Sequence, residues 1–176
     1  MNEMISPPVD AYLPEIEDNL EFGLLETRQA REEAREQLAE IVEVAFINSP
    51  ALQESDFNFI LEIPDSMYYS VNTVICTLTD RESNQIQGFT LLQKRDNETY
   101  YEAITAVRRP NQGQGTKILK ERDNMLKAKG AKYVVTHVDK DGKYAEFLKR
   151  RYEQAETTEK DIIGQAPHQE TLRLKL

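Results

Sequence analysis

Residues 108–119 read RRPNQGQGTKIL, and the interpretation of the whole chain depends on this stretch. Gly113 and Gly115 flank one residue, between a preceding apolar run and a following helical pattern. Glycine lets a backbone turn tightly and approach a bulky ligand. The first N–H groups of a helix have no partner inside the helix and carry partial positive charge. The stretch is therefore either an anion-binding turn or a flexible joint between a strand and a helix.

Two common phosphate-binding patterns do not fit this loop. A dinucleotide-binding fingerprint needs a third glycine where this chain has Ile118. A P-loop ends in Gly-Lys-Ser or Gly-Lys-Thr, and the letters GQGTK do not supply that ending. The helices and strands around the loop must therefore indicate whether it binds an anion or only joins a strand to a helix.

A length of 176 residues predicts one domain. Residues 1–23 contain three prolines and are expected to form an extended arm before a single domain over 24–176. Apolar residues at helical spacing predict a long acidic helix over 24–47. Strands are predicted at 57–63, 68–80, 84–95 and 98–109, the last three as an antiparallel meander. The loop is followed by a helix to about residue 129, a strand at 131–138, a helix at 142–154 and closing strands at 160–165 and 170–176.

Charge is distributed unevenly along the chain, whose formal net charge is −9. Residues 1–55 hold 13 acidic and 3 basic side chains, whereas residues 108–151 hold 13 basic and 5 acidic ones. A basic island of this kind attracts anions such as phosphates. Solvated lysines on helix surfaces would give the same count, so charge alone leaves both interpretations open.

The single cysteine and the N-terminal sequence suggest a cytoplasmic protein. Cys76 lies in the apolar run VNTVICTL and is expected to be a buried, inert thiol, and one cysteine forms no internal disulfide. The opening letters MNEMISPPVD lack the basic start and apolar core of a signal peptide. No apolar run approaches the ~20 residues of a membrane span, and no Cys and His cluster has metal-ligand spacing, so neither membrane nor metal is expected.

From about residue 68 onward, the ordered series of elements resembles the GNAT superfamily of acyl-CoA-dependent N-acyltransferases. That family has a loop of the form Arg/Gln-x-x-Gly-x-Gly/Ala after its fourth strand, then a helix, a fifth strand, another helix and two closing strands. Gly113 and Gly115 match the motif glycines without a gap, and GFTLLQKR at 88–95 and GAKYVVTHVD at 130–139 resemble the third and fifth strands. The resemblance implies an α/β fold of the α+β kind, with a mixed, mainly antiparallel sheet flanked by helices.

The resemblance also implies a cofactor, acetyl-CoA or another acyl-CoA, and direct acyl transfer to an amine. The strand ending near Val107 would pair with the pantetheine amides. Glu102 on the fourth strand is the carboxylate best placed to act as a base, directly or through water, while a histidine late in a strand, such as His137, is more often structural. The pyrophosphate would be held by the backbone amides of the loop residues Asn111, Gln112, Gly113, Gln114, Gly115 and Thr116.

The chain departs from the family pattern in the loop and around the last helix. Pro110 stands where the family has Arg or Gln, and proline removes one N–H donor. Gly142 replaces the asparagine before the last helix, and Glu153 replaces the glycine after it. The long acidic helix replaces the family's usual strand and helix at the acceptor wall, which leaves the acceptor unidentified, although an acidic wall favours a basic amine.

The position of the family's usual acid, a tyrosine, is occupied by Lys149. A lysine with an unperturbed pKa of ~10.4 is a poor acid. Tyr152, one turn further on, is the candidate that replaces it, and Tyr144 lies earlier in the same helix. Core packing is the alternative role for both tyrosines.

A second resemblance leads to a different class of protein. The segments ERDNMLKAKGAKYVV and AEFLKRR resemble GNAT-like internal virion proteins of short-tailed phages, which also lack the catalytic tyrosine. This implies a structural or assembly protein of the virion, with the arm and the acidic helix as the surface for a protein partner or a second copy. Nucleic acid is not expected as a partner, because the tyrosines near the basic island fall at core-like spacing and the rest of the chain is acidic.

Overall fold

A computed structural model of the chain describes residues 19–46, 59–140, 142–157 and 169–176. These ranges contain five helices and seven strands. In chain order they are β1 (Leu20–Leu24), α1 (Arg28–Ala45), α2 (Phe59–Glu62), α3 (Asp65–Tyr68), β2 (Thr73–Asp80), β3 (Ile86–Lys94), β4 (Thr99–Val107), α4 (Gln114–Ala128), β5 (Tyr133–Asp139), α5 (Lys143–Arg151), β6 (Ala155–Thr157) and β7 (Gln169–Lys175).

The strands form one seven-stranded sheet in the order β1-β2-β3-β4-β5-β7-β6. All neighbouring strands are antiparallel except β4 and β5, which run parallel and are joined through α4. Parallel neighbours need such a crossover, whereas the meander of β2, β3 and β4 needs only turns. The predicted mixed, mainly antiparallel sheet flanked by helices is therefore confirmed.

Alternation along the strands divides the core between the two faces of the sheet. On one face, Leu38 and Ile41 of α1 pack with Phe89 of β3. On the other face, Leu119 of α4 and Leu148 of α5 belong to a cluster with sheet residues that include Leu92 and Val134.

No helix in the described ranges is long and apolar enough to cross a membrane.

The N-terminal arm is shorter than the sequence indicates. Residues 20–24, most of which were assigned to the arm, form β1, which pairs antiparallel with β2 from Leu20 opposite Asp80 to Leu24 opposite Cys76. A strand of five residues is too short to show a clear alternation of apolar and polar positions. Helix α1 begins at Arg28 rather than residue 24, because Thr27 caps it by accepting a hydrogen bond from the Ala30 amide (3.1 Å). Residues 1–18 lie outside the described residues.

The strand predicted at 57–63 is wrong where the structure describes it. Phe59–Glu62 is a single helical turn, and α3 follows after Pro64. Ile60 and Ile63 are both buried while Leu61 is exposed, which is the three-residue spacing of a helical turn against α1. The apolar letters FNFILEI fit both periods, and packing selects the helical one. The strand predicted at 160–165 lies outside the described residues.

Strands β4 and β5 part halfway along their length. They pair from Thr99 opposite Tyr133 to Glu102 opposite Thr136, after which β4 continues beside β3 and β5 continues beside β7. A bulge in β4 leaves Ala103 as an extra residue between the two that oppose Leu91 and Leu92. Bulges bend a strand and increase its local twist. A cleft therefore opens between β4 and β5 beyond Glu102, and we call the point where it begins the vertex.

Cys76 gives a direct test of the packing on the α4 face. Its thiol is fully buried in β2, and this burial raises its pKa to about 12. The thiolate is the form that attacks a disulfide reagent, so Cys76 of the folded protein should not release the coloured product of such a reagent at pH 8. One equivalent should react after unfolding in urea. Rapid reaction of the folded protein would contradict the described packing of β2.

Candidate functional site

The loop between β4 and α4 is a tight turn closed by a buried glutamine. Asn111 (φ 65°) and Gly113 (φ 78°) have left-handed backbone conformations, which glycine adopts without strain. The Gln114 side chain folds back and its Oε1 accepts a hydrogen bond from the Arg109 amide (3.2 Å). Among the described residues, no acceptor contacts the backbone N–H groups of residues 113–116. The turn therefore presents unpartnered amides at the start of a 15-residue helix.

Space and charge in front of this turn suit an anion. A Cβ atom built on Gly115 would meet nothing within 4 Å, so the first turn of α4 faces open space. Arg109 and Lys120 are exposed, and neither forms an ion pair with another described residue. Lys117 is engaged elsewhere, because its Nζ donates to the Leu20 carbonyl oxygen (2.7 Å). Pro110 lies in the exposed part of the loop and contributes no N–H group.

The cleft leads from this turn to the vertex. Thr136 Oγ1 donates to the Glu102 carbonyl oxygen (3.2 Å), which closes the parallel pairing at that point. Beyond it, no described strand pairs with the edge of β4 that faces β5, as far as Val107, the last residue of β4. The cleft thus has an unpaired strand edge on one side and the glycine turn at its open end.

A buried charged network lies on the α4 face of the vertex. Arg122 is fully buried (0% exposed) and forms ion pairs with Glu102, which is 1% exposed, and with Asp123. The Arg122 Nε and Nη2 groups donate to Asp123 Oδ1 at 2.9 and 2.6 Å, and Nη1 contacts Glu102 Oε2. Nη2 also donates to the Tyr152 hydroxyl (2.5 Å), which donates to Asp123 Oδ2 (2.7 Å). The network joins β4, α4 and the end of α5.

The protonation states in this network follow from burial and charge. Burial alone would lower the pKa of Arg122, but the charge of Glu102 and the neighbouring acidic groups outweigh it, so that this pKa is raised. Burial raises the pKa of Tyr152 well above its usual value. Arg122 therefore stays positively charged and Tyr152 stays protonated near neutral pH.

Tyr144 connects the first turn of α5 to the vertex. Its hydroxyl donates to Glu102 Oε1 (3.0 Å), and its ring stacks on Phe147 with 6.2 Å between centroids. The residue is 37% exposed although its hydroxyl points inward to Glu102. Burial of the hydroxyl, followed by the charge of Glu102, raises the pKa of Tyr144 well above the ordinary value. The hydroxyl therefore remains a hydrogen-bond donor.

The structure places the predicted residues in two groups. The loop residues and Val107 lie at the open end of the cleft, whereas Glu102 and Tyr152 lie in the buried network. Lys149 faces β7, where its amine pairs with Glu170. The catalytic roles of Glu102 and Tyr152 stay predictions. Arg122 binds both side chains, and the sequence analysis did not identify it as a site residue. Its signal was a charged residue within the apolar stripe of Ile118, Leu119 and Leu126.

His137 lies just past the vertex on β5. Its Nδ1 hydrogen-bonds with Thr171 Oγ1 (2.9 Å), while its buried Nε2 has no partner among the described residues. Burial, followed by the charge of Arg95, lowers the pKa of His137, so the ring is neutral near pH 7. In the ranges that the structure describes, no group of three or more His, Cys, Asp or Glu side chains is arranged to hold a metal ion.

A separate cavity of about 420 Å³ lies at the other end of α4 from the glycine turn. It is lined by residues that include Lys127, Arg151 and the buried Tyr152. The ends of α4, α5 and β7 form its walls. It is therefore distinct from the cleft between β4 and β5.

The Arg122 network makes a prediction about stability. Arg122→Met removes the positive charge and leaves two buried carboxylates without their partner, so the free energy of unfolding should fall by about 3–5 kcal/mol. Urea unfolding measures this change. Lys120→Met, on the exposed face of the same helix, is the control and should change stability by less than about 0.5 kcal/mol. Equal effects of the two substitutions would contradict the buried ion pairs.

Searches with family models and with curated protein sequences find no match to this chain. Solved structures do match over most of its length. An acetyltransferase from Streptococcus agalactiae superposes with a TM-score of 0.65 at 14% identity, covering 90% of this chain and 99% of that one. The PaiA N-acetyltransferase from Thermoplasma acidophilum, in complex with coenzyme A, gives 0.62 at 12% identity, covering 89% and 99%.

A GNAT family acetyltransferase from Elizabethkingia anophelis, with acetyl-CoA bound, superposes with a TM-score of 0.55 at 16% identity, covering 90% of this chain and 99% of that one. Identities this low carry information about the fold alone. The chain described here therefore has the GNAT fold.

Proposed function

We propose that this protein binds acetyl-CoA, or another acyl-CoA, and transfers the acyl group to an amine. The observation that carries the proposal is the cleft between β4 and β5, which runs from the vertex at Glu102 to a glycine turn with unpartnered amides. Proteins of the same fold are known in complex with coenzyme A and with acetyl-CoA. An extended, polyanionic cofactor fits a cleft that ends at a helix N-terminus.

The cofactor is proposed to lie along β4. The amides of residues 111–116 hold the pyrophosphate, with Gly115 leaving room for it and with Arg109 and Lys120 balancing its charge. The unpaired edge of β4 up to Val107 forms hydrogen bonds with the pantetheine amides, as an added strand would. The thioester then lies near the vertex.

Transfer requires the amine nitrogen to attack the thioester carbonyl carbon. The carbon–sulfur bond breaks, coenzyme A leaves as a thiolate, and the amine loses a proton that a base accepts. Glu102 is the proposed base. The Tyr144 hydroxyl, which donates to Glu102 Oε1, lies between this carboxylate and the cleft. A base role therefore requires either that a proton passes by this hydroxyl or that Tyr144 moves aside when substrates bind.

Tyr152 is the proposed acid, and the hydrogen bonds of its hydroxyl would have to break before it could protonate the thiolate. Its hydroxyl is bound between Arg122 and Asp123, so Arg122 lies between it and Glu102 at the vertex. Protonation of the thiolate by Tyr152 requires this network to open. The alternative is that Tyr152 positions Arg122, and through it Glu102, without giving up its proton.

A catalytically idle structural or assembly role, such as that of a phage virion component, is the second candidate. One observation favours it: Lys149 stands at the position of the family's acid, and its amine is tied to Glu170 rather than directed at the cleft. On this alternative the fold supports contacts with a protein partner or with a second copy. Cofactor binding separates the two candidates.

Calorimetry and thermal unfolding with acetyl-CoA test the proposal. With ligand at a 100-fold excess over Kd, binding stabilises the folded state by about 2.7 kcal/mol. Gly115→Glu should abolish this effect, because its carboxylate would occupy the phosphate position. The same substitution should not lower the melting temperature of the free protein, since the site is open and a carboxylate suits the first turn of a helix.

Asn124→Asp is the matched control, because it adds one negative charge to an exposed position of α4 away from the turn. This variant should bind acetyl-CoA like the wild type. If the wild type shows no binding at millimolar acetyl-CoA, the acyltransferase proposal fails and the structural role remains. If Gly115→Glu binds normally, the cofactor does not lie on this turn.

Turnover of Tyr152→Phe distinguishes an acid from a positioning residue. If Tyr152 is the acid, kcat should fall at least tenfold with little change in KM, and the loss should persist at high pH. The lost hydrogen bonds should also lower stability by about 1–3 kcal/mol. Wild-type kcat in the variant would remove Tyr152 from the mechanism. Glu102→Gln, assayed in parallel, should lower kcat at least tenfold if Glu102 is the base.

A further inference from the structure

The Tyr144 side chain closes the inner end of the cleft, because it reaches from the first turn of α5 to Glu102 at the vertex. The turn is tight at Gly142, whose N–H donates to the Asp139 carbonyl oxygen (2.9 Å). A Cβ on Gly142 would lie 3.1 Å from that oxygen and 3.2 Å from Asp139 Cβ. Tyr144 follows two residues later, so its backbone stands on the β5 side of the cleft while its hydroxyl reaches β4.

The contact on β4 is made at the vertex itself. The Tyr144 hydroxyl lies 3.0 Å from Oε1 of Glu102, the last β4 residue that pairs with β5. The tyrosine thus spans the gap between the separating strands where the gap is narrowest.

The bridge is held firmly at both ends. The ring stacks on Phe147, one turn along α5, with 20° between the ring planes. Glu102 is fixed by the fully buried Arg122, which is bound in turn to Asp123. Movement of Tyr144 away from the vertex would leave Glu102 without the hydroxyl hydrogen bond while Arg122 remained in place.

We propose that Tyr144 limits the acyl group to a short one, acetyl, and excludes longer chains. This inference rests on the proposed function. Arg108 at the turn lies six positions after Glu102 at the vertex, which is about 20 Å of extended strand, and the pantetheine arm is an extended chain of comparable length. The acyl group then ends beside the Tyr144 ring, and a long acyl chain would collide with that ring.

The experiment measures Kd by calorimetry for coenzyme A, acetyl-CoA and octanoyl-CoA. The wild type should bind octanoyl-CoA at least tenfold more weakly than acetyl-CoA. Tyr144→Ala should lower the ratio of the octanoyl to the acetyl Kd at least tenfold. Tyr144→Phe keeps the ring and should keep the wild-type ratio, which separates obstruction by the ring from the effect of the hydroxyl.

Each outcome decides the inference. If the wild type binds both acyl-CoAs equally, or if Tyr144→Ala leaves their ratio unchanged, Tyr144 does not set the limit even though coenzyme A binds. If coenzyme A itself does not bind, the proposed function fails and the inference fails with it. If Tyr144→Ala does not fold, as judged by thermal unfolding, Tyr144→Leu keeps part of the volume and should give an intermediate ratio.

Discussion

The distance between the glycine turn and the vertex depends on the charge of Arg122. A guanidinium without solvent exposure must be neutralised where it lies, and Glu102 and Asp123 do this from β4 and from α4. The Tyr152 hydroxyl completes the arrangement from the end of α5. Hydrophobic packing tolerates small shifts between a helix and a sheet, but hydrogen-bonded charges in a low-dielectric interior do not. The network therefore fixes how far α4, and with it the glycine turn, lies from the vertex.

The same network explains why the basic island is less available to a ligand than its charge count indicates. The charge of Arg122 is neutralised by its buried partners. Arg108 pairs with Glu40 (3.1 Å) and also donates to the Ile86 carbonyl oxygen. Lys117 is bound to β1 through the Leu20 carbonyl oxygen. The residues left free beside the turn are few, so an anion there depends on backbone amides and on the helix dipole more than on side-chain charge.

The sequence was sufficient for features that rest on local patterns. Gly113 and Gly115 marked the turn, and the order of strands and helices after it led to the GNAT fold. Features that depend on distant partners were missed or misassigned. Arg122 looks like one more solvated charge unless Glu102, 20 positions earlier, is known to lie opposite it. The letters of segment 57–63 fit a strand as well as a helix, and only packing against α1 decides that residues 59–62 form a helical turn.

Three of the departures from the family pattern have a partner or a fitting conformation. Pro110 is followed by Asn111 in a left-handed turn, Gly142 permits the close return of the chain onto Asp139, and Lys149 pairs with Glu170. A cleft left without use would have no need of an open path from the turn to the vertex, and filling it with apolar side chains would stabilise the fold. The path instead ends at one polar side chain, Tyr144, whose hydroxyl is held by a carboxylate. This combination of an open entrance and a defined inner end is what a site for one extended ligand requires.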